Sequence, residues 1–481
     1  MEEQSSSSVP HAILLPFPLQ GHIVPFLNLA ELLSISGVNC TLLLTEQINH
    51  RLTQYSDFKK RFEPHQGFKT KTISDGLSPH DPPRSFDDIM DVFRAWDSIT
   101  VPQLKQMFAS GSFASDDRPQ ITCVIADSVY GFPIDELSEF GIPSIVFYPQ
   151  NAANVWCSLV VPDLFESGKF PLVGDKDDKV ECIPGMEDIL RVQDLEFNPS
   201  DLVTRVVMAF LRSEKADALV INTFEDLEGP ALTQLRSKCP NIYTLGPLHL
   251  LAESRLSHQS KASSQASIYS EDLSCMTWLD DQPLRSVVYI CFGTTAILTR
   301  DEFIELWHGF VDSGKRFLWV MGPGLVKGVT ADDKLLPELL EKAEGRGYRI
   351  QWAPQKKVLA HPAIGSFLMH CGWNAVMESI VAGIPMISWP CTPEHIVTSR
   401  CLTEQFKIAV MLKECHPRER SVISKVINEV MEDRKDELME SARKMSALAK
   451  KAVSQGGTSY NKLNSLVEHI QLISRRRQTS R

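Results

Sequence analysis

No uninterrupted apolar run in this 481-residue chain reaches the roughly 18–20 residues that a membrane-spanning helix needs. The first ten residues, MEEQSSSSVP, lack the basic and apolar regions of a secretory leader. The expectation is therefore a cytoplasmic protein with no stable membrane insertion. Positive charge is short as well: 49 Lys and Arg stand against 60 Asp and Glu, a formal net charge of −11. A chain of that sign is not drawn to polyanions, so no nucleic-acid partner is expected, and the basic end at 474–481 reads as a solvated tail. Eleven cysteines are present without a C-x-x-C pair, which points to reduced, mostly buried thiols. Cys371 beside His370 has no second cluster to complete a metal site, and DKDD at 175–178 reads as a solvated loop, so no metal is expected. Three phosphate or nucleophile signatures are also missing. There is no P-loop and no G-x-S-x-G, and GPGLVKG at 322–328 misses the dinucleotide fingerprint by one residue.

What is present is a steady alternation of strand and helix patterns. HAILLPF (11–17) leads into a segment with Ile23, Phe26, Leu27, Ala30 and Leu33 at helical spacing, and VNCTLLLTE follows as a buried strand. The beat recurs at 121–128, 143–149, 216–224 and 241–247. A Ser-rich, apolar-poor stretch at 253–274 interrupts it and reads as a linker or surface loop. The beat restarts at 286–293, with a helix from Thr299, and continues at 316–323, 348–354, 364–371, 384–390 and 408–414. The charged segment 418–473 reads as helical. Short buried strands between helices mean parallel sheets covered on both faces, and the length asks for two such domains. The boundaries expected are a disordered end at 1–10, a first domain at 11–252, the linker at 253–274, a second domain at 275–460, and a tail helix at 461–481 that packs back on the first domain.

In doubly wound folds ligands sit outside the carboxyl ends of strands. In FLMHCGWNAVMES (367–379) a strand delivers His370, and Gly372 lets main chain approach a ligand closely. Asn374 and Ala375 then open a helix whose N–H groups and dipole suit a phosphate, with Glu378 one turn on. The same residues also suit an ordinary Asn cap with an acidic residue in the first turn. CFGTT (291–295) and CTPEH (391–395) end two further strands in polar turns. In the first half, LPFPLQGH ends a strand at a helix carrying His22, and ITCVIADS ends in Asp127. Together they could form a general base with its orienting carboxylate, the proton coming from a substrate hydroxyl; each could equally cap a helix.

Read together, these segments resemble the plant UDP-dependent glycosyltransferases that decorate small molecules. The resemblance rests on the ungapped run from Trp352 to His395, WAPQKKVLAHPAIGSFLMHCGWNAVMESIVAGIPMISWPCTPEH, and extends to LPFPLQGH, VVYICFGT and the tail helices. It implies the α/β GT-B fold, two doubly wound Rossmann-like domains facing across a cleft. It implies that Trp352 stacks on uracil, Ala353 pairs with it through main chain, and Gln355 and Glu378 hold the ribose. Thr294, His370, Asn374, Ala375 and the helix N-terminus would cradle the diphosphate, while Trp373, Glu394 and His395 face the sugar. His22 would be the catalytic base and Asp127 its partner. The activity implied is inverting, metal-independent transfer of a sugar, glucose first, to a hydroxyl or carboxyl of a small hydrophobic plant metabolite such as a terpenoid or phenolic. The UDP-sugar is a co-substrate, no cofactor is needed, and family habit suggests a monomer. A member that binds nucleotide sugar with little turnover is the alternative.

Three positions depart from the pattern. Ala375 stands where Ser is usual, His395 where Gln is usual in glucose users, and Pro149 where a sugar-contacting Thr is often found. Phe86, Trp96, Phe147, Trp156 and Phe165 suggest an apolar acceptor cleft.

Overall fold

The computed structural model describes residues 9–78, 80, 89–114, 120–130, 132–169, 172, 174–195, 201–256, 266–294, 296–322, 324–328, 345–412 and 419–479, the side chains at 132–135 and 201–203 excepted. The sequence expectations for residues 1–8, Phe86 and residues 257–265 of the linker lie outside them. Two compact units are formed. One comprises Met1–Phe170, Asn198–Ile268 and Lys451–Arg481; the other comprises Pro171–Phe197 and Tyr269–Lys450. The unit boundaries thus do not follow chain order, because 171–197 groups with the second sheet and the chain end with the first.

Among the described residues the first unit is built on seven strands: β1 (His11–Leu15), β2 (Asn39–Thr45), β3 (Phe68–Ile73), β4 (Cys123–Asp127), β5 (Ser144–Tyr148), β6 (Ala218–Ile221) and β7 (Ile242–Thr244). Their order is β3-β2-β1-β4-β5-β6-β7, every pair parallel. β1 lies beside β4 in the register Leu15↔Ala126, so the strand order reverses direction between these two. Ile13, Leu15, Val124 and Ala126 alternate onto one face and meet Phe17, Phe93 and Trp96 there. β3 was not anticipated. Its sequence FKTKTI is an edge strand with lysines at 69 and 71, so it has no continuous apolar run to announce it. The helix Thr458–Thr479 belongs to this unit, where His469 Nδ1 pairs with the Tyr243 hydroxyl of β7 at 2.9 Å.

The second unit has β8 (Val287–Cys291), β9 (Arg316–Val320), β10 (Gly347–Ile350), β11 (Ile364–Met369), β12 (Met386–Ser388) and β13 (Ala409–Met411). Their order is β10-β9-β8-β11-β12-β13, again with parallel pairs throughout. The reversal now falls between β8 and β11. The helix Arg300–Ser313 begins where Thr299 predicts. The Glu302 N–H donates to Thr299 Oγ1 at 3.2 Å, the Thr299 N–H returns a bond to Glu302 Oε2 at 2.9 Å, and Gly314 at φ 69° ends the helix. Phe303, Trp307 and Phe310 from that helix pack on Phe317 and Trp319 of β9, which fixes the sheet that carries the turns described next.

Candidate active site

In the first unit the chemistry gathers where β1 and β4 end. β1 runs out at Leu15, and the helix Gln20–Ile35 starts with His22 as its third residue. β4 ends in Asp127, which is buried. Because the two strands are neighbours, His22 Nδ1 and Asp127 Oδ2 lie 2.8 Å apart although 105 residues separate them. A carboxylate only accepts, so Nδ1 carries the hydrogen and Nε2 keeps its lone pair. Main-chain N–H groups hold the carboxylate from two sides, Phe17 donating to Oδ2 at 3.3 Å and Val129 to Oδ1 at 3.1 Å. The imidazole keeps 18% of its side-chain surface exposed. It packs edge-on to Phe17, which in turn touches Phe93 and Tyr130. Sequence reasoning did not assign Phe17, Phe93 and Tyr130 to this site. The available signal was Phe17 itself, set between two prolines at the end of β1.

The suggested acceptor-cleft aromatics behave differently. Phe147 is fully buried in β5 against Phe26, Trp96 stacks on Tyr130 inside the core, and Trp156 is also buried, whereas Phe165 is exposed. Three of these residues are core side chains. Pro149 follows β5 in a buried turn. After it, Gln150 Oε1 accepts from the Ser128 hydroxyl at 3.2 Å, and Asn151 starts the helix Ala152–Glu166. The N–H groups of Ala152 and Ala153 donate to Glu228 at 2.8 and 3.0 Å.

In the second unit the turns after β8 and β11 meet at His370. Gly293, φ 64°, follows β8, and Thr294 beside it is half-buried. A Cβ on Gly293 would lie 2.5 Å from His370 Cε1, and one on Gly372 would lie 2.5 Å from His370 Nε2. Only glycine lets the ring rest against both turns. Cys371 between them sits at φ 72°, a left-handed conformation that costs a non-glycine residue about 1–3 kcal/mol and concentrates at functional turns. The helix Trp373–Ala382 follows, with Gly372 as its N-cap and no capping side chain. Asn374 is therefore the second residue of the helix and not its cap, which corrects the cap reading. Its first N–H groups are those of Trp373, Asn374 and Ala375, at an N-terminus whose cap residue carries no side chain to bond them.

Burial pushes His370 down to about 4, the Cys291 carbonyl beside it offsetting this in part, so its ring is neutral at pH 7. His395, third residue of the helix Pro393–Arg400, places its ring 4.9 Å from that of His370, nearly perpendicular to it. Burial, and secondly its electrostatic coupling to the His370 ring, holds His395 well below the usual range, and its Nδ1 is buried without a hydrogen-bond partner among the described residues. Trp373 is buried; Glu394, next to His395, is exposed. Gln355 is fixed at both ends of its amide. It donates to Glu378 Oε2 at 2.9 Å and accepts from the Tyr289 hydroxyl at 3.3 Å. Ala353 is buried, and Trp352 is half-buried with one indole face covered by the ring of Tyr269, which sequence reasoning left in the linker.

The family model "UDP-glucoronosyl and UDP-glucosyl transferase" matches residues 213–452, which hold every one of these second-unit turns. A 7-deoxyloganetic acid glucosyltransferase of Catharanthus roseus is 42% identical over 480 residues, covering 98% of this chain and 99% of its own. This chain belongs to the plant UDP-glycosyltransferase family. It is thus an enzyme with the GT-B fold. Mogroside I-A1 synthase of Siraitia grosvenorii is 38% identical, with 93% of this chain and 86% of that protein aligned. Among solved structures, Os79 of O. sativa in complex with UDP is 25% identical, covers 95% of this chain and 100% of its own, and superposes with a TM-score of 0.76. No helix among the described residues is long and apolar enough to cross a membrane.

Proposed function

We propose that this UDP-glycosyltransferase transfers glucose from UDP-glucose to a hydroxyl or carboxyl of a small hydrophobic plant metabolite, with inversion at the anomeric carbon and without a metal or cofactor. The observation that carries the reading is the 2.8 Å His22–Asp127 pair, which puts the ring hydrogen on Nδ1 and the basic lone pair on Nε2. Nε2 removes the proton of the acceptor hydroxyl while its oxygen forms the new bond to the anomeric carbon, and the bond to UDP breaks on the opposite face. Asp127 stabilises the imidazolium that results. Such base catalysis contributes roughly 10²–10⁴-fold, so positioning and charge stabilisation carry the remainder.

On the leaving-group side, the positive dipole end of the helix Trp373–Ala382 favours the charge gathering on UDP, and neutral His370 donates a hydrogen bond without competing for it. Thr294 and Asn374 add polar contacts to the diphosphate. Trp352 stacks on uracil while Ala353 pairs with it, and Glu378, oriented by Gln355, accepts from ribose hydroxyls. The buried, unpartnered Nδ1 of His395 suits a sugar hydroxyl, with Glu394 beside it on the same helix start and Trp373 at the start of the helix Trp373–Ala382. Glucose is favoured by the name of the Catharanthus roseus relative, which also records an acid as acceptor. Ala375 removes one hydroxyl from the diphosphate cradle.

UDP release measured for UDP-glucose, UDP-galactose and UDP-xylose against a panel of terpenoid and phenolic acids and alcohols tests the donor and acceptor. Proton NMR of the product gives the anomeric configuration. A β-glucoside formed at the same rate with a chelator present supports the proposal. An α-product, or turnover restored only by a divalent metal, contradicts it.

A further inference from the structure

The nucleotide half of the second unit contains a strip that no motif singles out. Tyr269 stacks on Trp352 with ring centroids 4.1 Å apart and planes 24° from parallel. The strip is fastened along its length. The Asp272 N–H donates to the Trp352 carbonyl at 2.9 Å, the Ser274 N–H to Asp272 Oδ1 at 2.9 Å, and the Tyr348 hydroxyl to Ser274 Oγ at 3.0 Å. Trp278, at the far end, stacks on Tyr348 of β10. A ring whose strip is tied by the Asp272–Trp352 main-chain bond to the residue it stacks on is a fixed backing and not a swinging cover.

The same strip carries Glu271. Burial raises its carboxyl, Lys357 and Lys356 lower it, and Glu378 raises it again, which puts it in electrostatic reach of the ribose-binding candidates. Its Oε1 is buried and has no hydrogen-bond partner among the described residues. An acceptor stranded in that way is costly unless a ligand supplies a donor. An indole has two faces. With Tyr269 on one, the other is left for a flat base, and the lost rotation of the indole is settled before the ligand arrives.

We propose that the strip Tyr269–Asp272 is a further wall of the nucleoside site, in which Tyr269 is a positioning residue that holds the Trp352 indole as a platform and Glu271 Oε1 accepts a hydrogen bond from a ribose hydroxyl. This inference rests on the reading that Trp352 stacks on uracil, so the test includes both layers. Calorimetric titration of the whole protein with UDP is compared for wild type, Trp352→Ala, Tyr269→Leu, Tyr269→Phe and Glu271→Leu.

Trp352→Ala weakens binding most. Tyr269→Leu weakens it about two- to tenfold, the range of an aromatic pair, and Tyr269→Phe binds like wild type. Glu271→Leu also weakens UDP, by about two- to tenfold. In turnover, Tyr269→Leu raises the KM for the UDP-sugar and leaves kcat and the acceptor KM unchanged, a split that a general loss of stability would not give. Tyr269→Met replaces the leucine variant should that one fail to fold. Wild-type affinity in Tyr269→Leu alongside a weakened Trp352→Ala overturns the role of Tyr269 and spares the base-stacking reading. Wild-type affinity in Trp352→Ala overturns that reading and this inference with it. Wild-type affinity in Glu271→Leu overturns the role given to its carboxylate.

Discussion

Each unit places an imidazole where its strand order reverses, and the two are treated oppositely. His22 stands at a helix start, partly exposed, with a buried carboxylate 2.8 Å from Nδ1. His370 is wedged between two glycine turns, buried, faced by a second neutral imidazole, and pushed down to about 4. A carboxylate partner turns an imidazole into a group that can take a proton and keep the charge. Burial without one makes it a group that refuses the extra proton and stays neutral, with one ring nitrogen left to donate a hydrogen bond. The same ring in the same kind of fold position is thus suited to either end of a group transfer, and its neighbours decide which.

The largest expected effect attacks the first half of that comparison. Asp127→Asn removes the charge that supports the imidazolium, and turnover should fall roughly 10²–10⁴-fold with the UDP affinity unchanged, as stopped assays and titration of the same preparation will show. The second half is tested by acid. His370 is depressed in the folded chain relative to about 6.5 when unfolded, so between these values the unfolded state binds the extra proton. Its contribution is full above about pH 6.5 and is lost as the pH falls toward 4, about 3 kcal/mol in all. His370→Gln should therefore show a shallower drop of unfolding midpoint with acid over that window; an unchanged slope would refute the buried neutral ring. Gly293→Ala forces a methyl against that ring and should cost about 1–3 kcal/mol in denaturant unfolding while raising the KM for the UDP-sugar and sparing that of the acceptor. The smallest effect adds a contact. Ala375→Ser should gain about 1 kcal/mol toward the diphosphate, read as a UDP-sugar KM lowered up to about fivefold.

Much of this was legible because apolar runs end abruptly in polar turns, which marks the strand ends where such folds hold ligands. The helix from Thr299 announced itself by Thr299 and Glu302, and the parallel strands by their Val and Ile content. The His22–Asp127 pair could be guessed from two strand ends, but only sheet order makes residues 105 apart into neighbours. What stayed hidden had physical causes too. β3 alternates lysine and threonine because an edge strand needs no second apolar face. Phe147 looked like pocket lining, yet its position inside β5 commits it to Phe26. Tyr269 sat in a polar, Ser-rich stretch where periodicity has nothing to report. Asn374 resembled a cap because cap and second position differ by only two residues, and Gly372 takes the capping backbone geometry instead.

The account stands or falls on the division of labour between the two imidazoles, and one protein tests it: His22→Ala, assayed for UDP binding by calorimetry and for glucoside formation in the same buffer. Binding equal to wild type with product formation down at least about a hundredfold is the result expected. Product formation retained, or UDP binding lost in proportion to it, would contradict the assignment of the proton to the first unit.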